Sequence, residues 1–362
     1  MKVAIVGASG FVGTRLVESF VLQKTAEVVP VVRSFSSLAV LARFNLPWRV
    51  CDALDVDGLA RAFAGCDAVV HAALADPVQI VRMADSIYAA AERAGVKRLV
   101  ALSSASVHGL APVPGTDENS PLHEKHASDY NNAKVRAERV LERWRQRGNV
   151  ELIQLRPSIV YGPRCRLLAK IAQQLLDGTA FFVREGDGVC NGIYVDNLIA
   201  AIRCALESPK GDGEAFLVGD AETVTWREFY AKVAGALEVS MDSVHRVAAP
   251  VFRRSFKEKV ERLVATPTVQ SLLPAVPGEA KRLTKVLLAG LKKPPQPNAW
   301  TLPSAPACVV DEEMATLQQC VWKYPGKKAA QLLGYVPAVS FDEGMRRSIG
   351  WLRMAGYPVA RT

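Results

Sequence analysis

Several features that define other classes of protein are missing from this sequence. Its seven cysteines are odd in number and include no Cys-x-x-Cys pair, which argues against a disulfide scaffold or a thiolate zinc site and favours a reduced, cytoplasmic chain. Of the five histidines, only His123 and His126 are close in sequence, and no cysteine is near them, so no metal site is expected. No apolar run approaches the roughly 18 residues of a membrane span. We expect no signal peptide, because Lys2–Val6 already has the pattern of a strand.

The composition limits the number of domains. The 362 residues are 49% hydrophobic and 22% charged, which is typical of a globular protein and excludes general disorder and collagen-like repeats. This length suits two domains, or one large α/β domain with an attached lobe.

The positive charge is concentrated in one segment. The chain carries a net charge of +9, and residues 250–300 contain ten Lys or Arg against three Glu, a net of +7. Their pattern indicates basic amphipathic helices. Two interpretations stay open: attraction to an anionic membrane or a phosphate-bearing substrate, or a structural helical pair that covers the substrate cleft. Nucleic acid is not an expected partner, because Phe252, Phe256 and Trp300 are too few for a stacking platform.

The order of apolar runs and helical patterns predicts the fold. Short apolar runs alternate with helical patterns in the first half of the chain, at Lys2–Val6, Val28–Val32, Val50–Asp52, Ala68–His71, Leu99–Leu102 and Leu152–Leu155. Such alternation predicts βαβ units and a buried parallel sheet. We therefore expect an α/β fold with a Rossmann-like doubly wound parallel sheet and a smaller C-terminal α/β lobe.

A glycine-rich loop follows the first predicted strand. Gly7, Gly10 and Gly13 are spaced G-x-x-G-x-x-G, and Phe11 and Val12 open the next helix. Glycines permit a tight turn and let backbone amides approach a pyrophosphate, which the helix N-terminus also favours. The loop predicts an NAD(P)-binding Rossmann domain at residues 1–160. We expect a substrate-binding lobe at 161–362 that includes a basic helical insertion at 250–300, and the return of some later segments to the first domain is left open.

Residues after the second and third strands bear on the choice of dinucleotide. Arg33 follows the second strand, where an acid usually recognises the ribose of NAD(H). A guanidinium can pair with the 2′-phosphate of NADP(H), so we expect NADP(H) to be preferred, with NAD(H) as the alternative. Asp52, followed by Ala53, could accept a bond from adenine or could cap the helix that begins near Asp55.

Tyr130 and Lys134 are spaced for catalysis at a secondary alcohol or ketone. They lie one helical turn apart, so both face the same side of a predicted helix. A nearby ammonium is expected to lower the pKa of the tyrosine, which could then exchange a proton with a substrate oxygen. Ser104 follows the strand Leu99–Leu102 at the carboxyl edge of the sheet, where its hydroxyl can hold the same oxygen.

Together these motifs resemble the extended short-chain dehydrogenase/reductase superfamily, in the NAD(P)-dependent epimerase/dehydratase family. The matching segments follow the expected order: Gly7–Gly13, Asp52 with Asp55, His71–Ala73, Ser103–Gly109, Tyr130 with Lys134, Leu155–Pro157, Val160–Pro163, Tyr194–Leu198 and Leu333–Pro337. The resemblance implies Ser104, Tyr130 and Lys134 as catalytic residues, with Lys134 also on the nicotinamide ribose. It implies further cofactor contacts at Gly7, Gly10, Phe11, Val12, Gly13, Arg33, Asp52, Ala53, Ala72, Ala73, Tyr130 and Pro157.

Departures from the family pattern affect the substrate side. Ala105–Ser106 stands where dehydratases have an Asp-Glu pair, which disfavours elimination of water. Ile159 stands where many nucleotide-sugar enzymes have Asn, and Cys190 stands where many have an Arg for the diphosphate. The cofactor half therefore matches the family better than the substrate half.

The sequence thus predicts an NAD(P)-dependent epimerase or dehydrogenase that acts by hydride transfer at a secondary alcohol or ketone of a sugar, and we expect this sugar to be nucleotide-linked. One alternative is a hydroxysteroid dehydrogenase-like ketoreductase with a non-nucleotide substrate. Another is a non-catalytic NADP(H)-sensing protein, which the complete Ser104, Tyr130 and Lys134 set argues against. A homodimer is an open expectation.

Overall fold

The described part of the chain is built around a parallel sheet. The structure is a computed structural model that describes residues 1–250 and 307–360. Residues 1–248 and 308–362 form one compact unit. The basic helical insertion expected at 250–300 lies outside the described residues from residue 251 onward.

The strands and helices follow in chain order. The strands are β1 (Lys2–Val6), β2 (Glu27–Val32), β3 (Arg49–Val50), β4 (Ala68–His71), β5 (Arg98–Leu102), β6 (Glu151–Pro157), β7 (Ile159–Tyr161), β8 (Phe181–Val183), β9 (Gly192–Tyr194), β10 (Glu214–Val218) and β11 (His245–Val247). The helices are α1 (Phe11–Gln23), α2 (Val56–Phe63), α3 (Pro77–Arg93), α4 (Asp129–Arg145), α5 (Arg166–Leu176), α6 (Val195–Glu207), α7 (Trp226–Ala236), α8 (Glu312–Leu317), α9 (Lys327–Leu333) and α10 (Phe341–Met354). Among these described helices, none has both the length and the apolarity to cross a bilayer.

The main sheet has seven strands in the order β10-β6-β5-β4-β1-β2-β3, and every neighbouring pair is parallel. The chain moves outward from β1 through β2 to β3, then returns to β4 on the other side of β1. This reversal is a topological switch point, and in open α/β sheets ligands bind at the carboxyl ends of the strands there. The predicted Rossmann-like doubly wound sheet is confirmed.

Helices cover both faces of the sheet because alternate strand residues point to opposite sides. One face packs against α1, α6 and α9 through residues that include Ile5, Val100, Leu16, Leu198 and Ala329. The other packs against α2, α3 and α4 through residues that include Val69, Leu99, Leu59, Ile87 and Ala133. Strands that are buried on both faces have continuous apolar sequences, and for this reason the apolar runs in the sequence predicted the strands of this sheet.

The second half of the chain contributes to both the sheet and a smaller lobe. Its strand β10 adds to the edge of the main sheet, and α6 packs on one face. The pairs β7–β9 and β8–β11 lie outside that sheet. The proposed division at residues 160/161 stays a prediction.

The expected strand bounds agree with the structure to different degrees. Those of β1 and β4 are confirmed at both ends, and β2, β5 and β6 each begin one residue earlier than expected. The strand expected at Val50–Asp52 is instead Arg49–Val50. The chain turns at Asp52, whose Oδ1 accepts the Leu54 N–H at 2.9 Å, and Asp55 then caps α2.

Gly13 allows α1 to lie close to the turn that leaves β1. A Cβ on Gly13 would be 2.1 Å from the Gly7 carbonyl oxygen and 2.9 Å from the Ala8 Cα. Both atoms belong to the backbone, so neither can rotate away.

We expect Gly13→Ala to lower the free energy of unfolding by about 1–3 kcal/mol or more, because the added methyl group must displace backbone. Gly350→Ala is the matched control, since Gly350 is exposed within α10 and a Cβ there meets no atom within 4 Å. That change should stabilise the protein by about 0.5–1 kcal/mol. Urea denaturation of both variants measures the difference, and equal stabilities would contradict the tight-turn argument.

Candidate active site

The glycine loop lies at the switch point between β1 and β4. Gly7 has a φ of +84°, and a Cβ on it would be 2.6 Å from the Cα and N of Ala73. Its N–H donates to the Val31 carbonyl at 3.2 Å, which joins the loop to the end of β2. The structure therefore brings Gly7, Ala72 and Ala73 together, as expected for residues along one cofactor.

The residues of this loop fit a dinucleotide pyrophosphate. The cap of α1 is Gly10, which has no side chain to occupy the helix N-terminus, and the first turn contains no acidic residue. The amides of Phe11 and Val12 have no intrahelical acceptor at that end of the helix. A Cβ at Gly10 would lie 3.2 Å from the Gly7 oxygen. The loop thus offers backbone donors and little steric hindrance to a phosphate.

The residues expected near adenosine follow β2 and β3. Arg33 is exposed directly after β2, and within the described residues it has no hydrogen-bond or ion-pair partner. The Ser34 hydroxyl behind it is 2.9 Å from that of Ser36 and 3.0 Å from that of Ser37. The alternative that Asp52 caps α2 is wrong, because Asp55 Oδ1 accepts the Gly58 N–H at 3.0 Å. Ala53 packs against the core beside α2.

Ser104, Tyr130 and Lys134 meet beside the carboxyl end of β5. Ser104 and Tyr130 line the same cleft, and the Ser104 hydroxyl acts on the Tyr130 phenol by lowering its pKa. The Ser104 Oγ also lies 2.8 Å from the Ser106 Oγ and accepts the Ser106 N–H at 3.2 Å, which fixes the turn after β5. The Lys134 Nζ donates to the Leu102 carbonyl at 2.8 Å and lies 5.9 Å from the centre of the Tyr130 ring.

Burial has the largest effect on the pKa values of Tyr130 and Lys134. It raises the pKa of Tyr130; the Ser104 hydroxyl opposes this rise and the Glu313 charge adds to it. The expectation that Lys134 lowers the pKa of Tyr130 is therefore wrong in the protein without bound dinucleotide, because burial raises this pKa. Burial also lowers the pKa of Lys134 from 10.5 to about 8, against the opposing charge of Glu138.

His71 is a further buried titratable group at this edge of the sheet. It ends β4, is 5% exposed, and its Nδ1 has no hydrogen-bond partner among the described residues. Burial and the Lys134 charge lower the pKa of His71 to about 3, so the imidazole is neutral at physiological pH.

A cleft of about 140 Å³ opens beside the Ser104–Tyr130 pair. Its lining includes the predicted Pro157 and other apolar residues such as Leu110, Ile159 and Val189, with about as many polar residues, among them Asn131 and Ser158. Among the described lining residues there is one carboxylate, Glu313, and no lysine or arginine. Cys190 does not line this cleft and is fully buried.

Sequence reasoning missed the cleft residues that come from the C-terminal part. Asn191, Glu313 and Tyr324 all line the cleft. The Tyr324 hydroxyl donates to the Ala105 carbonyl at 3.0 Å, and the Asn191 Nδ2 donates to the Trp322 carbonyl at 2.8 Å. No local motif marks these residues, because the fold alone brings them to the cleft.

The fold and site together define a dinucleotide-dependent α/β enzyme with a serine–tyrosine–lysine centre. The sequence profile described as "NAD dependent epimerase/dehydratase family" matches residues 3–219. The chain belongs to this family. The expected NAD-dependent class of enzyme, of the extended short-chain dehydrogenase/reductase type, is therefore confirmed.

Curated relatives in the family differ in how much of the chain they match. The N-acetyl-alpha-D-glucosaminyl-diphospho-ditrans,octacis-undecaprenol 4-epimerase of Escherichia coli O157:H7 is 28% identical over 257 residues, 67% of this chain and 75% of the relative. The 2-alkyl-3-oxoalkanoate reductase of Stenotrophomonas maltophilia is 26% identical over 368 residues, 96% of this chain and 98% of the relative.

Solved structures of similar fold include a dTDP-glucose 4,6-dehydratase from Streptomyces venezuelae with bound NAD. It has a TM-score of 0.70 and 21% identity, and the match covers 98% of this chain and 97% of that chain. At this level of identity the match shows a shared fold.

We expect Lys134→Met to raise the free energy of unfolding by about 1–3 kcal/mol at pH 7, because a buried charge is removed. The lysine is protonated in both the folded and the unfolded state below its folded pKa of about 8, so the cost of burying its charge is greatest there. Above pH 8 the folded state loses this proton more easily than the unfolded state, so the wild type gains stability. The advantage of the variant should therefore shrink as the pH rises from 8 towards 10.5.

Denaturant titrations at several pH values measure this difference. Lys327→Met is the matched control, because Lys327 is exposed in α9 and its removal should change stability by less than about 0.5 kcal/mol at every pH. A pH-independent effect of Lys134→Met would show that the lysine charge is not costly in the folded state.

Proposed function

We propose that this enzyme transfers hydride at a secondary alcohol or ketone of a nucleotide-linked sugar, as an epimerase or a dehydrogenase. The observation that carries the proposal is that Ser104 and Tyr130 line one cleft, with Lys134 one helical turn beyond Tyr130, at the sheet edge that also holds the glycine loop. The relative named as a 4-epimerase of a diphosphate-linked sugar supports this substrate class.

Ser104, Tyr130 and Lys134 would have different roles in such a reaction. The Ser104 hydroxyl would hold the substrate oxygen against the Tyr130 phenol, and the phenol would give or take the proton on that oxygen. The Lys134 ammonium would donate hydrogen bonds to the ribose that joins the nicotinamide. The nicotinamide, when bound, supplies the hydride acceptor or donor. Ala105–Ser106 adds no carboxylate after Ser104, which supports epimerisation or net oxidation rather than loss of water.

A second candidate is reduction of an apolar ketone. Two observations favour it: the described lining of the cleft contains no lysine or arginine, and a 2-alkyl-3-oxoalkanoate reductase matches 96% of the chain. A nucleotide diphosphate carries charge that usually meets arginine or lysine. Turnover of nucleotide sugars would support the first candidate, whereas turnover of long-chain 3-oxo substrates alone would support the second.

We propose NADP(H) as the preferred dinucleotide, with NAD(H) as the alternative. Arg33 is exposed at the end of β2 and has no described partner that would compete for it. The neighbouring Ser34 and Ser37 hydroxyls could donate to the same 2′-phosphate. This site is the position at which family members read the ribose.

Other expectations about partners stay predictions. These are contact of residues 250–300 with an anionic membrane, a homodimer and a cytoplasmic location. A purely dinucleotide-sensing protein would not require Ser104, Tyr130 and Lys134 to lie together beside a cleft, so the site does not support this alternative.

We expect Tyr130→Phe to lower kcat by about 10²–10⁴-fold, because the variant lacks the transferable proton. Its affinity for the dinucleotide should stay within about threefold of wild type, since the ring is retained. Product sugars are measured by chromatography and net redox by nicotinamide absorbance. Tyr357→Phe is the control, because the Tyr357 hydroxyl bonds only the Ala169 carbonyl, at 3.3 Å, among described residues. Turnover by Tyr130→Phe within a few-fold of wild type would refute the role of this tyrosine.

Arg33→Ala should weaken NADP(H) binding by roughly 1.5–3 kcal/mol and NAD(H) binding far less, because a charged hydrogen-bonded contact is lost. Isothermal titration calorimetry with both nucleotides measures the two losses. Arg203→Ala serves as the control, since Arg203 is exposed on α6. Equal losses for both nucleotides would mean that Arg33 does not recognise the 2′-phosphate.

A further inference from the structure

The catalytic helix carries a buried ion pair one turn beyond Lys134. The Glu138 carboxylate accepts the Arg156 Nε at 3.0 and 3.2 Å and the Arg156 Nη2 at 2.7 Å. The two side chains are 1% and 4% exposed. Arg156 lies on β6 immediately before Pro157, which lines the cleft. The pair therefore connects helix α4 to the sheet directly beneath the catalytic site.

Arg156 also binds two groups that lie outside helix α4, the Glu118 carbonyl and the His108 ring. Its Nη1 donates to the Glu118 carbonyl at 3.0 Å and lies 3.2 Å from the His108 Nε2. Burial and the Arg156 charge lower the pKa of His108 to about 4, so this ring is neutral and accepts the bond. With three different partners, the guanidinium has little freedom, and it holds the Glu138 carboxylate in one orientation.

Stability alone is a weak reason to bury such a pair. Removing two charges from water costs several kcal/mol per ion, and apolar residues of similar volume often replace a buried pair without loss of stability. Such a pair can be retained because its charge acts on a neighbouring group.

Lys134 is the neighbour that needs a negative charge. On helix α4, the side chains one turn away from Lys134 on the same face are Tyr130, which is neutral, and Glu138, whose charge raises the pKa of Lys134. From β4 it faces the neutral His71, and from the end of β5 it meets the Leu102 carbonyl. Within the described residues, Glu138 is thus the anion that acts on this ammonium, and it opposes the effect of burial.

We propose that Glu138, oriented by Arg156, is a positioning residue that keeps Lys134 charged and directed towards the catalytic tyrosine and the dinucleotide ribose. This inference rests on the proposed dinucleotide-dependent function. Without the Glu138 charge, the pKa of Lys134 would fall below its value of about 8, and the lysine would be largely neutral near pH 8.

The test compares dinucleotide binding by wild type and by the double variant Glu138→Leu/Arg156→Met between pH 6 and 9.5. Replacing both partners leaves no unpaired buried charge, so the variant should fold, and thermal denaturation measures the cost of the bonds that the Glu118 carbonyl and His108 lose. Calorimetric titration with NADP(H) gives Kd at each pH, and the ratio of variant to wild-type Kd cancels the titration of the nucleotide itself. We expect a ratio near one at pH 6 that rises to about fivefold at pH 8, for a shift of about one pH unit in the Lys134 midpoint.

Glu142→Gln is the matched control for the double variant. Glu142 lies one turn further along the same face of α4, and its Oε1 is 3.5 Å from the Gln154 Nε2. Its charge is not among the causes that shift Lys134, so its ratio should stay near one at every pH.

Each remaining outcome decides the question. A folded double variant whose Kd ratio does not change with pH would overturn the proposal. If the double variant does not fold, Glu138→Gln is measured in the same way, and failure of both to fold would make the pair purely structural and overturn it as well. If wild type binds neither NADP(H) nor NAD(H), the proposed function itself has failed, which is a separate result.

Discussion

The burial of the Lys134 ammonium is the constraint around which the site is arranged. A charged lysine that is 6% exposed must find acceptors inside the protein, and the Leu102 carbonyl and the Glu138 charge supply them. Glu138 in turn needs Arg156, and Arg156 needs the Glu118 carbonyl and a neutral His108. One buried charge therefore fixes the positions of α4, β5, β6 and the turn after Ser104 relative to each other.

The same constraint separates the requirements of folding from those of catalysis. A methionine in place of Lys134 would suit the interior better, since burial already lowers the pKa of the lysine by more than two units. His71, with an unpartnered Nδ1, is a second polar group that the fold alone does not need at the end of β4. Polar groups that reduce stability persist where function needs them, so both mark this edge of the sheet as the working part of the molecule.

The cofactor side of the site could be predicted from the sequence because its signals are local. The glycine spacing Gly7–Gly13, the position of Arg33 after a strand and the one-turn spacing of Tyr130 and Lys134 each lie within a few residues. The pKa of Tyr130 could not be predicted in this way, because burial, which raises it most, depends on the whole fold, and the Glu313 charge that also raises it comes from a distant segment. Nor could Asn191, Glu313 and Tyr324, which reach the cleft from distant segments.

The cofactor side of the site was easier to predict than the substrate side for a physical reason, and this reason also bears on which substrates fit. On the proposed function, the dinucleotide would be held mainly by backbone and by residues at the ends of β1, β2 and β4, whose positions the sheet register fixes. The substrate would be held by side chains from loops and from α8, whose Glu313 and Leu317 line the cleft. Residues on such segments can change without disturbing the sheet.

The cleft here combines apolar side chains with the single described carboxylate of Glu313, and a carboxylate repels a second negative charge at the same end of the cleft. The part of the substrate that meets Tyr130 is therefore expected to be uncharged, whichever group carries it into the site.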